Sequence, residues 1–294
     1  MPIDYRYHIG SFVAIFVALL LGILIGIGLA PNPEELDRKV GELKQLYRET
    51  QTAKEAELAS LGQEKSQYEA VAKEAVAEVI RDRLAGRRVA IVLDHDFGRD
   101  PLPDVLRGLI KQAGATLAST TTVTREFVSL PRPVQQRVTE QLALYPAPGV
   151  HYRSLIAEAL ARALAQGRRE VVLELQSAGL VKSSADSDYG PPVDTVLLVG
   201  GAQSSAEASP ERIDLPLIAE LTRLRVRVVG CESSRAASSS TPLYKSKGIP
   251  TVDNADTLAG RMVIVLALAG ADGHFGVKEA ADRLLPDLSA AGRR

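Results

Sequence analysis

RRVAIVLDHDFGRDPLPDVLRGLIKQAGATLASTTTV, residues 87–123, decides the fold. Val89 to Leu93 is a short apolar run of the kind carried by a strand buried on both faces. Asp100-Pro101 then supplies a helix cap with proline in the first turn. Val105, Leu106, Leu109 and Ile110 give one apolar face, and Gly114 stops the helix. Thr116 to Val123, rich in threonine and valine, returns as a strand. Strand, helix and strand make a right-handed parallel crossover, the repeating unit of layered α/β domains.

The pattern continues toward the carboxyl terminus. Glu126 to Tyr145 and Tyr152 to Gln166 are expected as helices around the turn Pro146-Ala147-Pro148-Gly149. Val171 to Leu175 suits strand or helix, and Gly179 as a stop favours helix. Val196 to Val199 and Val226 to Val229 are expected strands ending at glycine, Ile213 to Leu224 an amphipathic helix, and Ile249 to Val252 a last short strand. Thr257 to Gly270 is a strongly apolar helix, too short to span a bilayer and suited to packing on the sheet. Residues 85–294 therefore suggest one Rossmann-like parallel-sheet domain.

The amino-terminal side differs. Ile9 to Ala30 carries no charged side chain and as a helix would reach roughly 33 Å, against a hydrocarbon core of about 30 Å. Residues 9–30 are thus expected to form a transmembrane helix, with the lipid bilayer as partner. Gly28-Leu29-Ala30 also offers a small-x-small cleavage pattern, but the run exceeds a signal-peptide core of about 7–15 residues and Pro31 would hinder the cut. Small residues recur every fourth position, and Ala14, Ala18, Gly22 and Gly26 would let two helices pack closely in the membrane. Counting positive charges on the two sides does not orient the span.

Residues 31–84 are charged and, after Pro33, free of proline. Leu36, Leu43, Leu46, Leu58, Leu61 and Tyr68 form an imperfect heptad seam with a skip near Glu57. Thr50 and Lys65 interrupt it. A coiled-coil stalk of about 75 Å is expected, strengthened if copies are concentrated together.

Candidate chemistry is sparse. Asp94-His95-Asp96 follows the first strand, where open α/β sheets bind ligands, and offers acid-base or metal-binding groups. Solvation of the loop and capping of the next helix is the simpler explanation. Asp272-Gly273-His274-Phe275-Gly276 is a second histidine loop. Cys231, at a strand end, suits a small buried thiol better than a nucleophile. The Ser-rich loop Cys231 to Thr241 has amides that can face an anion, although a plain surface loop is favoured. Gly200-Gly201-Ala202 lacks the dinucleotide spacing, and no phosphate-loop motif occurs. With 35 basic and 36 acidic residues and no basic run among aromatics, nucleic-acid binding is disfavoured.

Several segments together carry a resemblance. Ile3-Asp4-Tyr5-Arg6-Tyr7-His8 runs straight into the apolar stretch, and Gln112-Ala113-Gly114-Ala115 precedes the threonine-rich strand. Ser240-Thr241-Pro242-Leu243-Tyr244 leads to Thr251-Val252-Asp253-Asn254-Ala255-Asp256. Over nearly its whole length the chain resembles the bacterial family named for mycobacterial copper transport protein B. The resemblance implies a cytoplasmic amino terminus at residues 1–8, one membrane pass, a coiled coil and an exported domain. It further implies copper transport or homeostasis, and a link to septal peptidoglycan hydrolysis alongside a cytoplasmic partner with a thiamin pyrophosphokinase-like domain.

Copper chemistry meets a thin inventory. Copper(I) favours sulfur and copper(II) clustered imidazole, yet the chain has one cysteine, two methionines and four scattered histidines. Asp94, His95, Asp96, His274 and Cys231 are the candidate ligands, and copper enters as a cofactor only through the resemblance. The expectation is an α/β protein with an amino-terminal membrane helix and a coiled-coil stalk, acting as a dimeric, non-catalytic envelope scaffold or regulator. The alternatives are a component of copper transport or homeostasis, and an enzyme or small-ligand-binding domain.

Overall fold

The computed structural model describes residues 5–28, 33–203 and 211–287. It divides into two compact units, Met1–Glu69 and Ala70–Arg294.

The first unit holds helix α1 (Tyr5–Gly28) and most of α2 (Pro33–Ile80). Among the described residues no helix is long and apolar enough to cross a membrane, which overturns the transmembrane helix expected over residues 9–30. Helix α1 runs from Tyr5 to Gly28 and so includes polar residues at its start. Its first turn holds Tyr5, Arg6, Tyr7 and His8, and Leu29 and Ala30 lie outside the described residues. Ala14, Ala18, Gly22 and Gly26 lie on α1, with nothing within 4 Å of the place a Cβ would take on Gly22 or Gly26.

Helix α2 is continuous through the skip near Glu57. Its charged surface forms i,i+4 pairs, Arg38 with Glu42 and Lys65 with Glu69, each worth only about 0.3–0.5 kcal/mol. The seam residues are exposed, from 50% at Leu36 to 69% at Leu58.

The second unit is built on a seven-stranded sheet. Its elements are β1 (Arg88–Leu93), α3 (Leu102–Gln112), β2 (Thr116–Val123), α4 (Arg125–Ser129), α5 (Arg132–Gln141), α6 (Tyr152–Gln166), α7 (Arg169–Ser177), β3 (Val181–Ser183) and β4 (Thr195–Val199). Then follow α8 (Asp214–Arg223), β5 (Arg227–Cys231), α9 (Thr241–Lys245), β6 (Thr251–Val252), α10 (Leu258–Ala269) and β7 (His274–Phe275). The strand order is β3-β2-β1-β4-β5-β6-β7, parallel throughout except β3, which runs antiparallel to β2.

Strand alternation builds two apolar layers. Val89, Ile91, Leu93, Leu197 and Val199 face α3, α10 and Ile80 at the end of α2. Ala90, Val92, Val196 and Leu198 face helices α4 to α8. This is the doubly wound, Rossmann-like arrangement that the β1-α3-β2 sequence implies.

Local signals act as their chemistry dictates. Asp100 Oδ1 accepts from the Leu102 amide at 2.8 Å, and Gly114 takes φ +84 to end α3. Residues expected as one helix from Glu126 to Tyr145 break into α4 and α5, because Leu130 turns left-handed and Pro131 follows it. Arg227 ties β5 to the end of α10 through the carbonyls of Ala267 and Ala271, both at 2.7 Å.

Candidate functional site

In this strand order β1 lies between β2 and β4, so successive crossovers leave it in opposite directions. Open sheets bind ligands at the carboxyl ends of the strands at such a switch point. Asp94 sits there directly after β1, its amide donating to the Val199 carbonyl at 3.0 Å. The side chain is buried. Asp94 Oδ1 meets His95 Nδ1 at 2.5 Å, while Oδ2 has no protein partner. Burial raises the carboxyl above the ordinary range against the opposing pull of His95. The His95 ring stacks on Phe97 with centroids 4.2 Å apart.

Asp96 departs from this pair. It is exposed, accepts from the Gly98 amide and pairs with Lys182 at 3.1 Å. The Gly98 hydrogen bond, then Lys182, lowers its carboxyl below the ordinary value. His274 belongs to β7, with Nδ1 3.1 Å from Thr251 Oγ1. Burial, then the Lys245 charge, depresses its imidazole. Since β4, β5 and β6 intervene, four strand spacings, roughly 19 Å, separate β7 from β1, and the two histidine loops do not converge. Cys231 is fully buried at the end of β5, its thiol pushed far up by burial and then by the charges of Glu232 and Asp94. A thiol so held is a poor nucleophile. Among the described residues no three His, Cys, Asp or Glu side chains are grouped to hold a metal ion.

Other side chains, given no site role in the sequence reading, fill this edge. Asp214, the first residue of α8, is buried and accepts from the Tyr244 hydroxyl at 2.7 Å. Burial, then the charge of Asp94, raises the Asp214 carboxyl well above its ordinary range. Burial, then the charges of Asp214 and Asp94, does the same to the Tyr244 phenol. Asp94, Asp214 and Tyr244 are therefore one electrostatic cluster at the carboxyl ends of β1 and β4.

Beside it lies Glu232, fully buried. Its carboxylate accepts from the Ser240 amide at 2.7 Å, the Thr241 amide at 3.3 Å, the Ser239 hydroxyl at 2.6 Å and the Lys278 ammonium at 2.6 Å. Lys278 also donates to the carbonyls of Ser233 and Ala236. Asp253 holds the same carboxyl-terminal segment by accepting from the amides of Val277 and Lys278.

The glycines after β4 serve this packing. A Cβ on Gly200 would strike the Tyr244 hydroxyl and Ser240, and one on Gly230 would lie 2.5 Å from the Tyr244 ring. Gly201, at φ +80, lies where a Cβ would stand 2.6 Å from Glu232 Cβ. The segments Ser240 to Tyr244 and Thr251 to Asp256, quoted above for their family likeness, thus line the switch-point edge. An acid directly past a strand end, as at Glu232 after β5 and Asp94 after β1, and an acid opening the following helix, as at Asp214 in α8, are the signals that would have located the cluster from sequence.

A comparison with curated proteins gives no match. Residues 2–286 match the model of a family described as copper transport outer membrane protein, MctB; with nearly the whole chain covered, the protein belongs to that family.

Proposed function

We propose that this chain is an envelope protein of the copper-transport family that works as a non-catalytic scaffold, two copies pairing along α2 and the α/β domains offering surfaces to partners. One observation carries the reading: a helix of 48 residues with its apolar seam facing outward over most of its length. An isolated helix gains little from propensity and surface ion pairs. Covering each leucine of the seam would contribute about 1.5–3 kcal/mol. The family, described as copper transport outer membrane protein, supports an envelope location. Partners acting in septal wall turnover, including a thiamin pyrophosphokinase-like one, remain the resemblance's contribution to this proposal.

Disulfide trapping tests the pairing. The native Cys231 is buried, so full-length Leu43→Cys and Leu61→Cys variants report on the seam. The expected result is oxidised dimer at both positions and none for a control cysteine at the exposed Lys54. Equal trapping at all three would count against a defined seam.

The family description favours a second reading, in which copper is the cargo. The two readings differ in one measurement, copper(I) bound per purified chain under a competing chelator. The scaffold reading expects no stoichiometric uptake, and the cargo reading expects a defined ratio.

A further inference from the structure

We infer that the carboxyl edge of the α/β domain is a ligand crevice occupied by the protein's own side chains, with the Glu232 carboxylate as the bound anion and the Tyr244 phenol as the bound ring. This goes beyond the scaffold reading and does not depend on pairing through α2. The surroundings of Glu232 have the composition of an anion cradle: two backbone amides, from Ser240 and Thr241, a hydroxyl from Ser239 and an ammonium from Lys278. Such a set of donors suits either phosphate or carboxylate. Here it closes on an internal carboxylate.

The ring position is filled in the same way. Tyr244 is fully buried against Gly200 and Gly230, where a side chain on either glycine would collide with it, and its hydroxyl is fixed by Asp214 at 2.7 Å. In dinucleotide-binding α/β folds, glycines after a strand let the backbone approach the ligand closely. In this domain they make room for Tyr244. Lys278 keeps the arrangement shut, since its ammonium bridges Glu232 to the carbonyls of Ser233 and Ala236 on the intervening loop.

The test exchanges the internal ligands for external ones in the full-length chain. Glu232→Ala leaves the amides, hydroxyl and ammonium without their carboxylate. Titrated with sodium acetate or inorganic phosphate against sodium chloride of equal ionic strength, it is expected to gain thermal stability saturably. Wild type should not respond, and adding Lys278→Met should abolish the gain. If Glu232→Ala does not fold alone, the readout becomes the yield of folded protein refolded with acetate or phosphate against chloride. In parallel, Tyr244→Ala should melt roughly 10 °C lower and recover with p-cresol, a free copy of the lost side chain. Wild type binding phosphate as tightly as Glu232→Ala would overturn the inference. So would the absence of rescue by either anions or p-cresol.

Discussion

Lys278→Met offers the sharpest test of how the crevice is held. The substitution keeps the aliphatic stem but removes the ammonium that sits 2.6 Å from Glu232 Oε1. Glu232 has no exposed side-chain surface and Lys278 only 21%. Breaking a buried ion pair by removing one partner costs about 3–5 kcal/mol, because the remaining charge stays desolvated. Glu232 retains the Ser239 hydroxyl and the Ser240 and Thr241 amides, which places the expected loss near the lower end, about 3 kcal/mol. At about 2–4 °C per kcal/mol for a domain of this size, the melting temperature should fall by roughly 6–12 °C. Urea denaturation at neutral pH would give the free energy directly. The double variant Glu232→Gln/Lys278→Met should recover part of the loss, with a coupling of about 2 kcal/mol. A Lys278→Met protein within about 1 kcal/mol of wild type would refute the latch.

Asp214→Asn should change how stability depends on pH. A carboxyl raised on folding by burial and by Asp94 contributes stability present below its unfolded value, about 3.9, and lost as pH rises through the folded value, at about 1.4 kcal/mol per unit of displacement. Asparagine keeps an oxygen for Tyr244 and does not titrate, so its stability relative to wild type should climb from pH 4 to pH 8 in denaturant melts; a constant difference would count against the assignment. Gly201→Ala should cost about 2–4 kcal/mol, combining a left-handed backbone with overpacking on Glu232. Gly86→Ala, at φ +77 with open space around it, should cost only about 1–2 kcal/mol, and equal losses at the two glycines would contradict the crowding at Gly201.

The layered α/β fold was legible because the strands that make its centre are long enough to show their character. β1, β2, β4 and β5 each coincide with an apolar or threonine-rich run bounded by turn residues, and proline and glycine fixed the ends of α3. β3 and β7, three and two residues long, carry no periodicity to read; backbone pairing with an existing edge forms them. The amino-terminal helix shows the opposite failure: the apolar run and its length suggested a span, yet among the described residues no helix is long and apolar enough to cross a membrane. At the edge, Asp94 and His95 were visible as a motif. Asp214, Glu232 and Tyr244 were not, since only the strand order brings the ends of β1, β4 and β5 together. Asp96 and His274 share residue chemistry with Asp94 and His95, yet a two-residue step or a distant strand sends them elsewhere.

The central claim is that copies of this chain pair through the apolar seam of α2. Sedimentation equilibrium on the full-length protein measures it most directly, comparing wild type with Leu43, Leu46, Leu58 and Leu61 all replaced by serine. The expected result is wild type at twice the chain mass and the variant at the chain mass, both with the same far-ultraviolet signature of the α/β domain. Wild type sedimenting as a single chain, or a variant that dimerises as tightly as wild type, would contradict it.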